Sequence, residues 1–140
     1  MARKIGATIL GLIAGYLIVM GIEMVNLALF KPPAGMNFGD PVALRRWIES
    51  LPQTAFILIV VAWLVGALVG VTIATRVGRS RVPGIIVGVL LLAATVANFF
   101  RFPHPVWVMA AAVIGLLVVT WAGTASRSRE TSRSRSSAAA

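Results

Sequence analysis

An apolar run from residue 5 to residue 30 carries a single charge, Glu23. A run this long and this apolar reads as a membrane-spanning helix, whose backbone polar groups satisfy one another without water. At 1.5 Å rise per residue it extends roughly 39 Å, more than a hydrocarbon core of about 30 Å requires. The helix therefore tilts or protrudes. A carboxylate at mid-helix costs about 2.5–3.5 kcal/mol on insertion scales. Glu23 must accordingly be paired, protonated, near the membrane surface, or functional.

Three more apolar runs follow, at 54–75, 82–100 and 106–122. Hydrophobic residues make up 59% of the chain and charged residues 12%, about half the charge of an ordinary soluble domain. A 140-residue soluble protein could not hide that much apolar surface. The expected fold is therefore all-α: an integral-membrane four-helix bundle over residues 1–124, followed by a tail over 125–140. Met1-Ala2-Arg3-Lys4 resembles the start of a signal peptide. The run after it is too long, and no small-x-small cleavage site ends it before Lys31, so it is read as an uncleaved helix.

The segments between the runs are punctuated clearly. Lys31-Pro32-Pro33-Ala34-Gly35 stops the first span, since proline lacks the backbone donor and fixes φ. Asp40 then precedes Pro41 as an N-cap precedes a first-turn proline. Leu44, Trp47, Ile48 and Leu51 recur at helical spacing, with Arg45, Arg46 and Glu49 facing elsewhere. This short amphipathic helix either lies on the bilayer or caps the bundle mouth; Trp47 favours the bilayer surface. After Gly123 the chain turns to Ser, Arg and Ala without apolar periodicity, which predicts a disordered basic tail.

The net charge of +9 sits between the apolar runs. That placement fits membrane orientation, with no nucleic-acid partner expected. Arg3, Lys4, Arg76, Arg79, Arg81, Arg127, Arg129, Arg133 and Arg135 fall on one side. Lys31, Arg45, Arg46 and Arg101 fall on the other. The bias predicts a multi-pass inner-membrane (plasma-membrane) protein with both termini cytoplasmic, as an even number of spans requires. The lipid bilayer is the first expected partner, with anionic lipid at the Arg/Ser tail.

Small residues recur at four-residue spacing in every span. They are Ala7, Gly11 and Gly15; Ala62, Gly66, Gly70 and Ala74; Gly84 and Gly88; and Ala111 and Gly115. Such rows let helices approach closely where packing, rather than hydrophobicity, drives association. They suggest a compact bundle, self-association, or docking onto other membrane proteins.

Chemistry is sparse. The chain has no cysteine, which excludes disulfides, thiol redox chemistry and cysteine-held metal centres. One histidine argues against a His-based metal site. There is no nucleophile–base pair, no phosphate-binding glycine loop and no paired carboxylates, so no enzyme activity and no cofactor are expected. The candidate site is a polar intramembrane cluster of Glu23, Asn26 and Asn98. Its functional reading is a proton- or cation-binding carboxylate in an outward-facing pocket. Its plainer reading is an ion pair of Glu23 with Arg101 or Lys31. His104, between two prolines, reads as solvated, with pH sensing or proton relay as the alternative. Trp63 reads as packing.

Glu23-x-x-Asn26, Pro32-Pro33 and Pro103-His104-Pro105-x-Trp107 together resemble a group of small four-helix bacterial inner-membrane proteins of uncharacterised function, over residues 5–123. A looser resemblance is to the small multidrug-resistance transporters, which have four short helices and a proton- and drug-binding glutamate in the first. Glu23 lies late in a longer helix, and the large loop with its amphipathic helix departs from that pattern. Two functions are thus expected. The first is a non-enzymatic membrane component acting through helix packing. The second is a small proton- or cation-coupled transporter using Glu23, as a homodimer because four helices enclose little volume.

Overall fold

The structure, a computed structural model, describes the backbone of residues 1–138 and the side chains of residues 1–125. Five helices make up the fold: α1 (Ala2–Leu29), α2 (Pro41–Ser50), α3 (Gln53–Gly78), α4 (Arg81–Arg101) and α5 (Val106–Ala138). Four of them, with α5 counted over Val106–Ala125, are long and apolar enough to cross a membrane. The four pack together as an all-helical bundle, as the apolar runs predict. α5 extends past the expected end at residue 122 to Ala138, and the expected disordered tail over 125–140 falls, beyond residue 125, outside the residues whose side chains are described.

The stops and starts follow local chemistry. The Phe30 N–H donates to the Asn26 carbonyl at 2.9 Å and closes α1 just before the two prolines. Asp40 Oδ1 accepts from the Val42 N–H at 2.9 Å, and Pro41 occupies the first turn of α2. Such a cap stabilises a helix by about 1 kcal/mol. Ser80 caps α4 in the same way, its hydroxyl accepting from the Val82 N–H at 3.4 Å.

α3 is the hub: it packs on α1, α4 and α5, and 39% of its apolar window is buried against 17% for α1. The α1–α3 seam is the closest approach. Gly11 stands against Gly70 and Gly15 against Gly66, backbone on backbone. Each step up α1 is matched by an equal step back along α3, so the antiparallel register carries on to Asn26 opposite Ala55. Gly84 and Gly88 of α4 receive Thr75 and Thr120, and Gly115 of α5 receives Leu64. Ala62 is fully buried on α3. The small-residue rows are therefore spent on contacts within the chain.

Two apolar clusters fill the interior. Val71, Ala74 and Val87 lie toward the basic end, which carries the amino terminus and the turn after α3. Phe56, Val60 and Val108 lie toward the opposite end, where α2 sits. Ile9, Ile13, Leu17, Val89, Leu117 and Val118 point outward. A surface that apolar needs a bilayer around it.

α2 corrects an expectation. It does not simply lie on the bilayer surface, because its apolar stripe is turned onto the bundle. Ile48 and Leu51 pack on the Phe56 cluster, while Leu44 and Trp47 line the space beneath. Trp47 also meets Phe38 edge-on, with ring centroids 6.3 Å apart. Arg45 and Glu49 pair at 2.8 Å on the exposed side. α2 meets the other helices through side chains only and buries none of its residues fully. It is a lid rather than a fifth member of the bundle.

Candidate functional site

Beneath the lid lies a cavity of about 480 Å³. That volume is within the range of small-molecule sites. Its walls come from α1, the lid, α3, the end of α4 and the loop after it. Glu23, Asn26 and Asn98 all line it. The structure thus gathers the three polar residues picked out from the sequence into one chamber.

Glu23 reaches the chamber from α1, half-buried, and its Oε1 accepts from the Trp63 indole N–H at 3.1 Å. Among the described residues neither Lys31 nor Arg101 stands within ion-pair distance of it, and the Arg45–Glu49 pair lies elsewhere, on the lid. Both cations are exposed. The plainer reading of Glu23 is corrected here: its partner is a neutral indole, and the remaining carboxylate oxygen is left for something else. The reason is register, since Trp63 lies three residues before Gly66 on the α3 face that α1 contacts.

Asn26 is one helical turn further on and 9% exposed. Its Nδ2 donates to the Ala55 carbonyl at 3.3 Å. A carbonyl can only accept, so this bond fixes which way the amide points. Oδ1 is then buried without a hydrogen-bond partner. A buried acceptor left unpaired costs about 1–3 kcal/mol.

The rest of the chamber mixes aliphatic side chains such as Met20, Leu27 and Ile59 with aromatic ones. His104 is partly buried, contrary to its reading as a solvated loop residue. Its Nδ1 lies 2.8 Å from the Phe102 carbonyl, which places the ring proton on Nδ1. The ring packs against Trp63, Phe99 and Phe56 with centroids 5.8, 5.5 and 6.5 Å away. Trp63 and Phe99 meet at 6.0 Å. Aromatic faces carry negative charge density and attract cations.

Trp63 and His104 are the members sequence reading undervalued. A usable signal existed for Trp63: pairing the glycine rows of the two helices sets the α1–α3 register and places it near Glu23. No such signal existed for His104, whose loop is positioned only by the fold of α4 onto α3 and α5.

Taken together, one carboxylate, two asparagines and a mixed aliphatic and aromatic lining form a largely apolar pocket with a single acidic group. It complements a small cation bearing N–H groups. No known protein family, no curated protein and no solved structure matches the chain.

Proposed function

We propose that the chain is a non-enzymatic, multi-pass protein of the inner membrane that binds a small organic cation or a proton at Glu23 and carries it. The observation behind this reading is Glu23 itself. It lines a roofed chamber with Asn26 and Asn98, and no Lys or Arg is among the lining residues. A single carboxylate can hold a proton or a cation but not both, and that exclusivity is the basis of exchange.

The topology follows from the Lys/Arg bias: both termini in the cytoplasm and the lid on the outer side. The chamber is built by one chain, so the volume argument for a homodimer falls away. The alternative, an accessory component acting through helix packing, rests on the small size, the lack of catalytic groups and the glycine rows. Those rows are occupied by neighbouring helices of the same chain.

Benzamidinium is a suitable probe, being aromatic, charged across the physiological range and rich in N–H donors. Titrated calorimetrically into the detergent-solubilised chain, it is expected to bind saturably. Glu23→Gln should weaken binding at least tenfold while still accepting the Trp63 N–H, so the fold is retained. In proteoliposomes with an acidic interior, the wild type should accumulate benzamidinium and the variant should not. Equal binding and uptake by both proteins would refute the reading.

A further inference from the structure

A second groove shares a wall with the chamber. It is about 430 Å³, runs between α1 and α4, and is lined by Tyr16, Val19, Leu91 and Ala94 among others. Trp63 and Asn98 line both spaces. Arg101 lines the groove at its lid end, one turn beyond Asn98 on α4. It is exposed and has no ion-pair partner among the described residues.

Two uncompensated charges of opposite sign therefore flank one wall, Glu23 on the chamber side and Arg101 on the groove side. A ligand carrying both signs would satisfy both. Apart from Thr95 and the Tyr16 hydroxyl, the groove's remaining lining is apolar and lies within the membrane-spanning helices, so its natural filling is an acyl chain.

We infer that the groove and chamber together seat one phospholipid with a primary-amine headgroup, of the phosphatidylethanolamine class. This rests on the reading of Glu23 as a cation site. The ammonium enters the chamber and donates to the Glu23 carboxylate. The phosphate takes the Arg101 guanidinium, whose planar fork suits phosphate oxygens. One acyl chain lies along α1 and α4. A choline headgroup has no N–H to donate to the Glu23 carboxylate, and a glycerol headgroup has no cation for it. The amine headgroup is selected against both.

The test uses the full chain in mixed micelles with equal amounts of phosphatidylethanolamine, phosphatidylcholine and phosphatidylglycerol of identical acyl chains. Lipid retained after washing is counted by native mass spectrometry. Phosphatidylethanolamine should be retained at least fivefold over the other two. Glu23→Gln should abolish that preference, and Arg101→Gln should lower retention of all three lipids; circular dichroism reports the fold of each variant. Water-soluble phosphoethanolamine should compete at least a hundredfold more weakly than the lipid, since it lacks the chain. Equal retention of the three lipids by the wild type, or an intact preference in Glu23→Gln, overturns the assignment. So does phosphoethanolamine competing as well as the lipid, which would make the ligand a soluble zwitterion. If benzamidinium still binds the wild type through Glu23 while lipid preference is absent, the lipid assignment falls and the cation site stands. Loss of both removes both.

Discussion

Gly70→Leu is expected to destabilise the bundle by about 3 kcal/mol, at the upper end of overpacking penalties. A Cβ at Gly70 would stand 2.6 Å from the Gly11 carbonyl oxygen, and one at Gly11 would stand 2.5 Å from the Gly70 carbonyl oxygen. The obstacle on each side is backbone, so no rotamer change relieves it. The two helices would have to separate, and the energy holding them is close packing, because lipid competes equally for their apolar side chains. Gly21→Leu, on the same α1 but with nothing within 4 Å of its Cβ, should change stability by no more than about 0.5 kcal/mol. Unfolding of both variants by SDS in mixed micelles provides the comparison. Equal midpoints would mean that the α1–α3 seam is not where the structure places it. The seam also bears on function, because α1 brings Glu23 and Asn26 to the chamber. Gly70→Leu should therefore lose benzamidinium binding as well, and Gly21→Leu should keep it.

Trp63→Ala should cost about 3–5 kcal/mol, the usual range for truncating a buried large aromatic side chain. Trp63 is 9% exposed, closes the wall between chamber and groove, and packs on Phe99 and His104. Trp63→Phe separates its two roles. It keeps most of the ring area but removes the N–H that Glu23 accepts, for a net loss of about 1 kcal/mol. In a double-mutant cycle with Glu23→Gln, the Trp63→Phe effect should shrink, since the neutral amide accepts more weakly than a carboxylate. Strictly additive effects would show that the indole bond does not couple the two residues. In the single Trp63→Phe variant, cation binding should persist with altered affinity, because the Glu23 carboxylate remains.

Much of this architecture is legible in the chain itself. The four spans, the Asp40-Pro41 start of α2 and the Ser-Arg turn before α4 are local matters of hydropathy, capping and proline. They were placed to within a few residues for that reason. The small-residue rows were equally visible, but one helix's row does not say which neighbour it meets; only the pairing of Gly11 with Gly70 and Gly15 with Gly66 decides that. Once the pairing is known, the meeting of Asn26 with Ala55 follows by counting.

The site was only half legible. Glu23, Asn26 and Asn98 stood out because polar residues in apolar runs are expensive. What surrounds them was hidden. Whether Glu23 meets Arg101, lipid or a chamber depends on helix rotation, which tight packing at the glycines sets and hydropathy does not. The lid misled for a similar reason. Trp47 suits a membrane interface and a cavity roof equally, and its stripe with Leu44, Ile48 and Leu51 looks the same in either setting. His104 became an aromatic-cluster residue because the Pro103–Pro105 loop folds back over Trp63 and Phe99, a tertiary event without a local signature.

The absence of native cysteine makes the decisive measurement simple, because a single introduced thiol is the only one present. Asn98→Cys places it on the chamber wall, and Val25→Cys, 56% exposed on the outer face of α1, places it toward lipid. In proteoliposomes, a water-soluble methanethiosulfonate reagent should label Asn98→Cys and leave Val25→Cys unlabelled. Saturating benzamidinium should slow the labelling of Asn98→Cys when residue 23 is Glu and have no effect when it is Gln. Labelling of Asn98→Cys no faster than that of Val25→Cys, or equal protection by benzamidinium in both backgrounds, would contradict a water-accessible cation site at Glu23.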